Sequence, residues 1–330
     1  MAAGARVMGA AAAALLGLLA FASTGAAQGY PERAITVIVP AAAGGPTDTV
    51  ARLMGESMGR TLGQQFVVEN VGGAGGTIGM ARVAKAAPDG YTLAVWHIAQ
   101  STAPALYDNL KYNVINDFDS IGRITDVPMT IVGKSTLEAK NIGELLAWLK
   151  AKPETITYAH AGVGSASHLC ALMFMSELKI KMAAVSYRGT GPAMNDLVGG
   201  QFDMMCDQTT GTTNQIKQGK IKGYAATTPA RLAVLPELPT LDESGLKGFE
   251  VSAWHAMWAP KGLPADAVTK LTKALQTALQ DPTVIERFAS LGTEPVKLDQ
   301  ATPQALKAQL TSEVAKWDTV IKAAGVKGTN

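Results

Sequence analysis

The side chains best suited to chemistry in this chain are four histidines, His97, His160, His168 and His255, and two cysteines, Cys170 and Cys206. No pair of these histidines has metal-ligand spacing with cysteine or carboxylate support. Ser165 and His168 stand three apart, the spacing of a helix capping box, so bonding at a helix start accounts for them more simply than nucleophilic catalysis. A nucleophile elbow needs glycine two residues before and two after the serine, and Ser165 has Val163 and Ser167 there. The stretch "AAAGGPTD" lacks the lysine of a Walker loop. In "VGGAGGTIG", a dinucleotide fingerprint counted from Gly73 and Gly75 needs a third glycine where Ile78 stands. No metal or cofactor is implied.

What remains is bare backbone. "PAAAGGPTD" (40–48) follows the apolar run "AITVIV", and "AGVGSAS" (161–167) follows a second such run. Both place small residues where a helix starts. A first helical turn carries unpaired N–H groups and the positive end of the helix dipole, which together favour a carboxylate or phosphate. One glycine loop of this kind is an ordinary connection; two in matching places point to anion binding. Asp48 is placed to cap or brace the first helix, and Ser165 or Ser167 to cap the second.

The elements that position these loops alternate. "AITVIVP" (34–40) reads as a strand, and Val50, Leu53, Met54, Met58 and Leu62 form one apolar stripe of the following helix. "QQFVVEN", "GTIGMARVAKAA" and "YTLAVW" continue the strand, helix, strand order. A second series starts near residue 129 with "PMTIVG", a helix bearing Ile142, Leu145, Leu146 and Leu149, and the strand "ITYAHA". "FDMMCDQ", "IKGYAATT" and "VSAWHAMWAP" are further strands, "TEPVKL" a last short one, and 264–279, 281–291 and 302–324 are helices. Such alternation predicts an α/β fold with a mostly parallel sheet covered on both faces. No long linker separates the two series, so the chain is expected to cross between them near 126–131 and 250–256, with the C-terminal helices returning to the first. Trp258 is expected in the core at that crossing, with Trp254 either there or flooring an aromatic ligand.

At 330 residues, 47% hydrophobic and 17% charged, the chain is long enough for two packed domains. Its net charge of +2 gives no basic stripe for nucleic acid. Arg6, the apolar run after it, and small residues at Gly25 and Ala27 read as a cleavable export leader ending near residue 27. No later stretch approaches the ~20 apolar residues of a spanning helix. In an exported chain the two cysteines either pair or lie as buried thiols on adjacent elements.

The ordered strings "ITVIVPAAAGGPTDTVARLM", "VVENVGGAGGTIG", "PDGYTL", "AGVGSASHL", "VSYRGTGPAMNDLVGGQFDMM" and "APKGLP" resemble the tripartite tricarboxylate transporter solute receptors, the Bug family, from about Tyr30 to the C-terminus. The resemblance implies a two-lobe periplasmic solute-binding fold, type II-like (the venus flytrap), with two crossover strands at the hinge. The leader would be 1–27, lobe 1 residues 28–128 plus 255–330, and lobe 2 residues 129–254. It implies a small carboxylate ligand, a dicarboxylate or aromatic acid, held by Ala43, Gly44, Gly45 and Thr47 with Asp48 bracing them, Pro46 offering no amide. Gly162, Val163, Gly164, Ser165 and Ala166 would form the facing loop, with Asp207, Gln208, Thr209 and Thr210 beside the same cleft. Asp207 would orient water or a ligand donor; Tyr187 and Arg188 would be scaffold. His97, Gln100 and Ser101 would set selectivity. The resemblance also implies a Cys170–Cys206 disulfide, a monomer, and transient docking on a membrane permease, with a sensor or hydrolase on the same fold as the alternative.

Overall fold

The computed structural model describes residues 29–328; the leader assigned to 1–27 lies outside the described residues. Nine strands carry the fold, in the order β2-β1-β3-β9-β4-β7-β5-β6 with β8 on the other edge of β4. They are β1 (Ile35–Val39), β2 (Phe66–Asn70), β3 (Thr92–His97), β4 (Phe118–Lys134), β5 (Thr157–His160), β6 (Ala183–Ser186), β7 (Met204–Gln208), β8 (Ile221–Ala226) and β9 (Ser252–Pro260). The helices are α1 (Pro46–Leu62), α2 (Thr77–Ala84), α3 (Ala99–Leu106), α4 (Ile142–Ala151), α5 (Ala166–Leu178), α6 (Thr190–Val198), α7 (Thr209–Lys217), α8 (Ala265–Leu279), α9 (Pro282–Ser290) and α10 (Pro303–Ala324).

The sheet is mixed, and the two antiparallel strands at its centre join two parallel halves. β1 pairs in parallel with β2 and β3, and β5 in parallel with β6 and β7. β4 is one 17-residue strand that changes partners along its length. Phe118 to Pro128 pair with β9, and Met129 onward pairs with β7 and, from Thr130, with β8. Pro128 stands at the changeover and lacks an amide donor, so a ladder ends there without leaving a buried N–H unpaired. Sequence periodicity marked only the second part of this strand. The last strand expected, "TEPVKL", is reduced to a single bridge between Thr125 and Pro295, because the proline cannot continue the ladder.

Helix α1 forms where Pro46 fixes the first helical φ, and it stops at Gly63, whose φ of 69° is left-handed. Val50, Met54 and Met58 are fully buried against β1, β3 and α8, with Leu53 and Leu62 half-buried alongside. Helix α4 starts at Asn141, whose side chain accepts the Glu144 N–H, and buries Ile142, Leu145, Leu146 and Leu149. Helices α8 and α10 return to the first half, packing on α1 and on α3 with β4. Trp254 and Trp258 are both core residues. A Cys170–Cys206 disulfide ties α5 to β7.

Candidate functional site

β1, β3, β5 and β7 all end toward one region, and each hands the chain to a loop or helix start there. The loop after β1 is shaped by a side chain further on. Asp48, in the first turn of α1, accepts the Gly44 N–H at 3.0 Å, Arg52 Nε at 3.0 Å and Asn70 Nδ2 at 3.0 Å. Burial pushes this carboxyl up, but the bonds from Arg52, Gly44 and Asn70 outweigh it and hold the pKa below the usual carboxylate range. Asp48 therefore braces the loop. The helix N-cap is Gly45, which offers no capping side chain. The first-turn amides of Thr47 and Asp48 are thus left for another acceptor, while Gly44 is already bonded and Pro46 has no amide.

The loop after β5 looks similar in sequence and is built differently. His160 Nδ1 accepts the Gly162 N–H at 3.1 Å and His168 Nδ1 accepts the Gly164 N–H at 3.1 Å. Ser167 Oγ takes the Ala161 N–H, Gly162 O takes the Ser165 N–H, and Ser165 Oγ caps α5 through the His168 N–H. The amides of Gly162, Gly164 and Ser165 are therefore spent inside the loop, which corrects their expected role as anion donors. Only Val163 and Ala166, of the five residues expected here, keep amides outside this internal set. Burial pushes His168 down to about 3 and His160 below its ordinary value, so both rings are neutral acceptors near neutral pH.

This second loop meets the first half of the molecule instead. Tyr107 Oη donates to Val163 O at 2.9 Å, and Thr102 Oγ1, on α3, donates to Gly164 O at 3.1 Å. Elsewhere along the seam the Ala42 N–H bonds Arg188 O at 3.2 Å. Glycines make these approaches possible. A Cβ on Gly191 would stand 2.3 Å from Ala43 O, and one on Gly75 2.2 Å from Val163 O. The two lobes are closed on each other. Tyr107, Gly189 and Gly191 were not singled out from sequence, and Gly75 was weighed only for a dinucleotide fingerprint; for the two glycines at 189 and 191 the string "YRGTG" at a helix start was the available signal.

Seven side chains carry buried polar atoms with no hydrogen-bond partner among the described residues: both amide atoms of Gln100, both carboxylate oxygens of Asp207, Oε1 of Gln208 and Oγ1 of Thr210, besides single atoms of Arg123, Gln215 and Trp258. Gln100 lies on α3, and Asp207, Gln208 and Thr210 lie where β7 passes into α7. Gln100 and Asp207 are wholly buried. Buried polar groups are almost always paired, so Gln100 and the run Asp207, Gln208 and Thr210 stand out as side chains suited to meeting a polar molecule. Gly211 lies between Asp207 and the first loop: a Cβ on it would lie 3.1 Å from Asp207 Oδ2 and 3.1 Å from Pro46 Cγ. Burial pushes the Asp207 carboxyl up to about 7, with the Gln208 amide pulling weakly the other way.

The remaining expected site residues are occupied. His97 is stacked on Trp96, and its Nδ1 accepts the Ala99 N–H. Ser101 Oγ donates to Ile98 O, and Thr209 Oγ1 to Gly292 O. Thr47 is held through its hydroxyl, 3.1 Å from Nε2 of His255, whose Nδ1 faces Ala253 O. Of the expected selectivity trio, Gln100 is the one whose buried side-chain atoms all lack a partner among the described residues, while no bond is made by Nε2 of His97. No cluster of three or more metal-ligating side chains occurs among the described residues.

The model of the tripartite tricarboxylate transporter family receptor matches residues 50–326. A protein from the TAR-I ttuE-ttuC' intergenic region of Agrobacterium vitis is 56% identical over 300 residues, spanning 91% of this chain and 87% of that protein. The solved periplasmic binding protein BugD is 51% identical with a TM-score of 0.88, covering 90% of this chain and 99% of BugD. MatC of Rhodopseudomonas palustris, solved with bound malate, is 39% identical with a TM-score of 0.84, covering 88% of this chain and all, 100%, of MatC.

Proposed function

Because this chain belongs to the tripartite tricarboxylate transporter receptor family, we propose that it captures a small dicarboxylate between its two lobes and hands it to a membrane permease. The observation that supports this reading most is a pairing of opposites across the cleft. Uncapped amides begin α1, and buried side chains of Gln100, Asp207, Gln208 and Thr210 have no partner among the described residues, with Gly211 between Asp207 and Pro46. The amides would hold one carboxylate, and the side chains would meet the rest of the molecule. Closure would dry the cleft and strengthen each amide-to-carboxylate bond. The malate held by MatC makes a C4 dicarboxylate the first candidate.

The lobes would divide where the strands change partners, at Pro128 to Met129 in β4 and just before Ser252 in β9. The second boundary would then lie three residues before residue 255, where the family resemblance sets it. Ala43, Gly45, Thr47 and Asp48 would supply the first-lobe contacts and Val163 and Ala166 the open amides of the second. The chain would be exported, act as a monomer in the periplasm and leave its ligand chemically unchanged.

Thermal shift and calorimetry on C4 to C6 dicarboxylates, citrate, nicotinate, benzoates and phthalates, with NMR of the recovered ligand, test the reading. Stoichiometric stabilisation with intact ligand is expected. Product formation, or stabilisation by none of the acids, would overturn it.

A further inference from the structure

We propose that Asp207 takes up a proton as the ligand binds and meets it as a neutral acid, so that the site captures a carboxylate together with one proton. The inference rests on the carboxylate reading above and goes beyond it by assigning a protonation state to the closed site. Asp207 is fully buried at the end of β7, both its oxygens lack a partner among the described residues, and no lysine or arginine bonds it. It lies within reach of Pro46 across Gly211, beside the amides that would hold the anion. Two ionised carboxylates cannot share one dry space without a cation between them; one of them must hold a proton. As a neutral acid, Asp207 donates its O–H to the ligand and keeps a carbonyl oxygen for donors such as the Gln100 amide.

The surrounding ionisable groups leave Asp207 as the one that changes. His160 on β5, His168 on α5, and His97 and His255 on β3 and β9 are all pushed below the ordinary histidine range by burial, and His168 and His255, at about 3 and about 4, stay neutral between pH 6 and 8. Asp48 on α1 stays ionised with Arg52. On β4, Arg123 is paired with Asp126 and Lys134 with Asp203. Tyr158 on β5 is raised to about 12 and stays protonated, and Glu294, in the loop packed on α7, is exposed. Burial in this closed form brings Asp207 to about 7, so a site that is closed before binding takes the proton up only above that pH.

The test is calorimetry of malate binding to the full mature chain in buffers of differing ionisation enthalpy, at pH 6 and pH 8. Malate has released both carboxyl protons well below pH 8. With Asp207 near 7, uptake approaching one proton per ligand is expected at pH 8 and clearly less at pH 6, with affinity falling toward tenfold per pH unit above about 7. Asp207→Asn keeps a donor and an acceptor, and is expected to bind with no proton uptake and a flat pH profile. Wild-type binding at pH 8 without proton uptake, or unchanged uptake in Asp207→Asn, would overturn the proposal. The wild-type series decides the matter even if the variant does not fold. If none of the C4 to C6 dicarboxylates binds at either pH, the carboxylate reading itself falls, a result distinct from binding without a proton.

Discussion

Gly191→Ala is the sharpest probe of lobe closure. Gly191 is the second residue of α6, and the loop it faces belongs to the other lobe. A Cβ there would stand 2.3 Å from Ala43 O and 3.3 Å from both Gly44 C and Gly45 N. Carbon–oxygen contacts close at about 3.3 Å, so the lobes must part by about 1 Å at this point. The obstacle is backbone on both sides and cannot rotate away. Overpacking of this kind costs about 1–3 kcal/mol, all of it in the closed form. In the open form the change replaces a helical glycine by alanine, which favours folding by about 0.5–1 kcal/mol. The expected outcome is a dissociation constant raised about 5- to 150-fold, with the ligand-free melting temperature unchanged or higher. Calorimetry against the best-binding dicarboxylate and a far-UV melt measure the two. Gly143→Ala, in α4 with only Asn141 Oδ1 nearby at 3.3 Å, is the control and should bind as wild type. Wild-type affinity in Gly191→Ala would refute the claim that this seam closes on the ligand.

Asp48→Asn leaves one acceptor oxygen for three donors and sets an NH2 among them; a loss of about 1–3 kcal/mol in urea unfolding and at least tenfold weaker ligand binding are expected. Replacing Cys170 and Cys206 together by alanine releases a cross-link spanning 36 residues, and a loss of about 4 kcal/mol in denaturant unfolding is expected from chain entropy; no change would mean the thiols are unpaired in solution. His255 and His168 are neutral in the fold, held down to about 4 and about 3 by burial, so the unfolded chain binds more protons below its ordinary histidine pKa. Stability is therefore expected to be complete above about pH 6.5 and to fall as pH drops toward 4, and a flat melting temperature across that window would count against both burials.

Elements built on apolar stripes were legible in the sequence: α1 and α4 could be read from their leucines, valines and methionines, and β1, β3 and β7 from short apolar runs. Helix α3 was not. Its sequence "AQSTAPAL" holds Pro104, which lacks a helix donor, and Ser101 and Thr102 bond back to backbone carbonyls, so neither propensity nor periodicity marks it. Yet it carries Gln100 and Thr102, two of the residues that matter at the cleft. The full length of β4 was also hidden, because its first part is half polar and its centre holds Pro128.

The two glycine loops show how far backbone logic alone can be carried. Both satisfy the sequence rule for an anion cradle, but the second spends most of its amides on its own side chains and keeps only those of Val163 and Ala166 outside that set. The difference lies in which acceptor side chains fold back. In the first loop Asp48 takes one amide, that of Gly44, and leaves those deeper in the helix turn. In the second, His160, His168 and Ser167 take three amides, and the carbonyls of Val163 and Gly164 turn toward Tyr107 and Thr102. The second loop thus works as a latch between lobes. Division of labour follows: one lobe offers mainly helix amides to a carboxylate, while the other offers a latch, the amides of Val163 and Ala166, and the side chains of Asp207, Gln208 and Thr210. A latch made largely with backbone carbonyls favours closure whatever the ligand, so selectivity must rest on the few side chains whose polar atoms remain unpaired once the lobes have met. Ligand affinity then depends on the difference between closed and open forms and not on the sum of all contacts. Weakening the latch with Thr102→Val or Tyr107→Phe should therefore lower affinity for every ligand by one common factor. Gln100→Ala should change the ranking among them, and a common factor there too would place selectivity elsewhere.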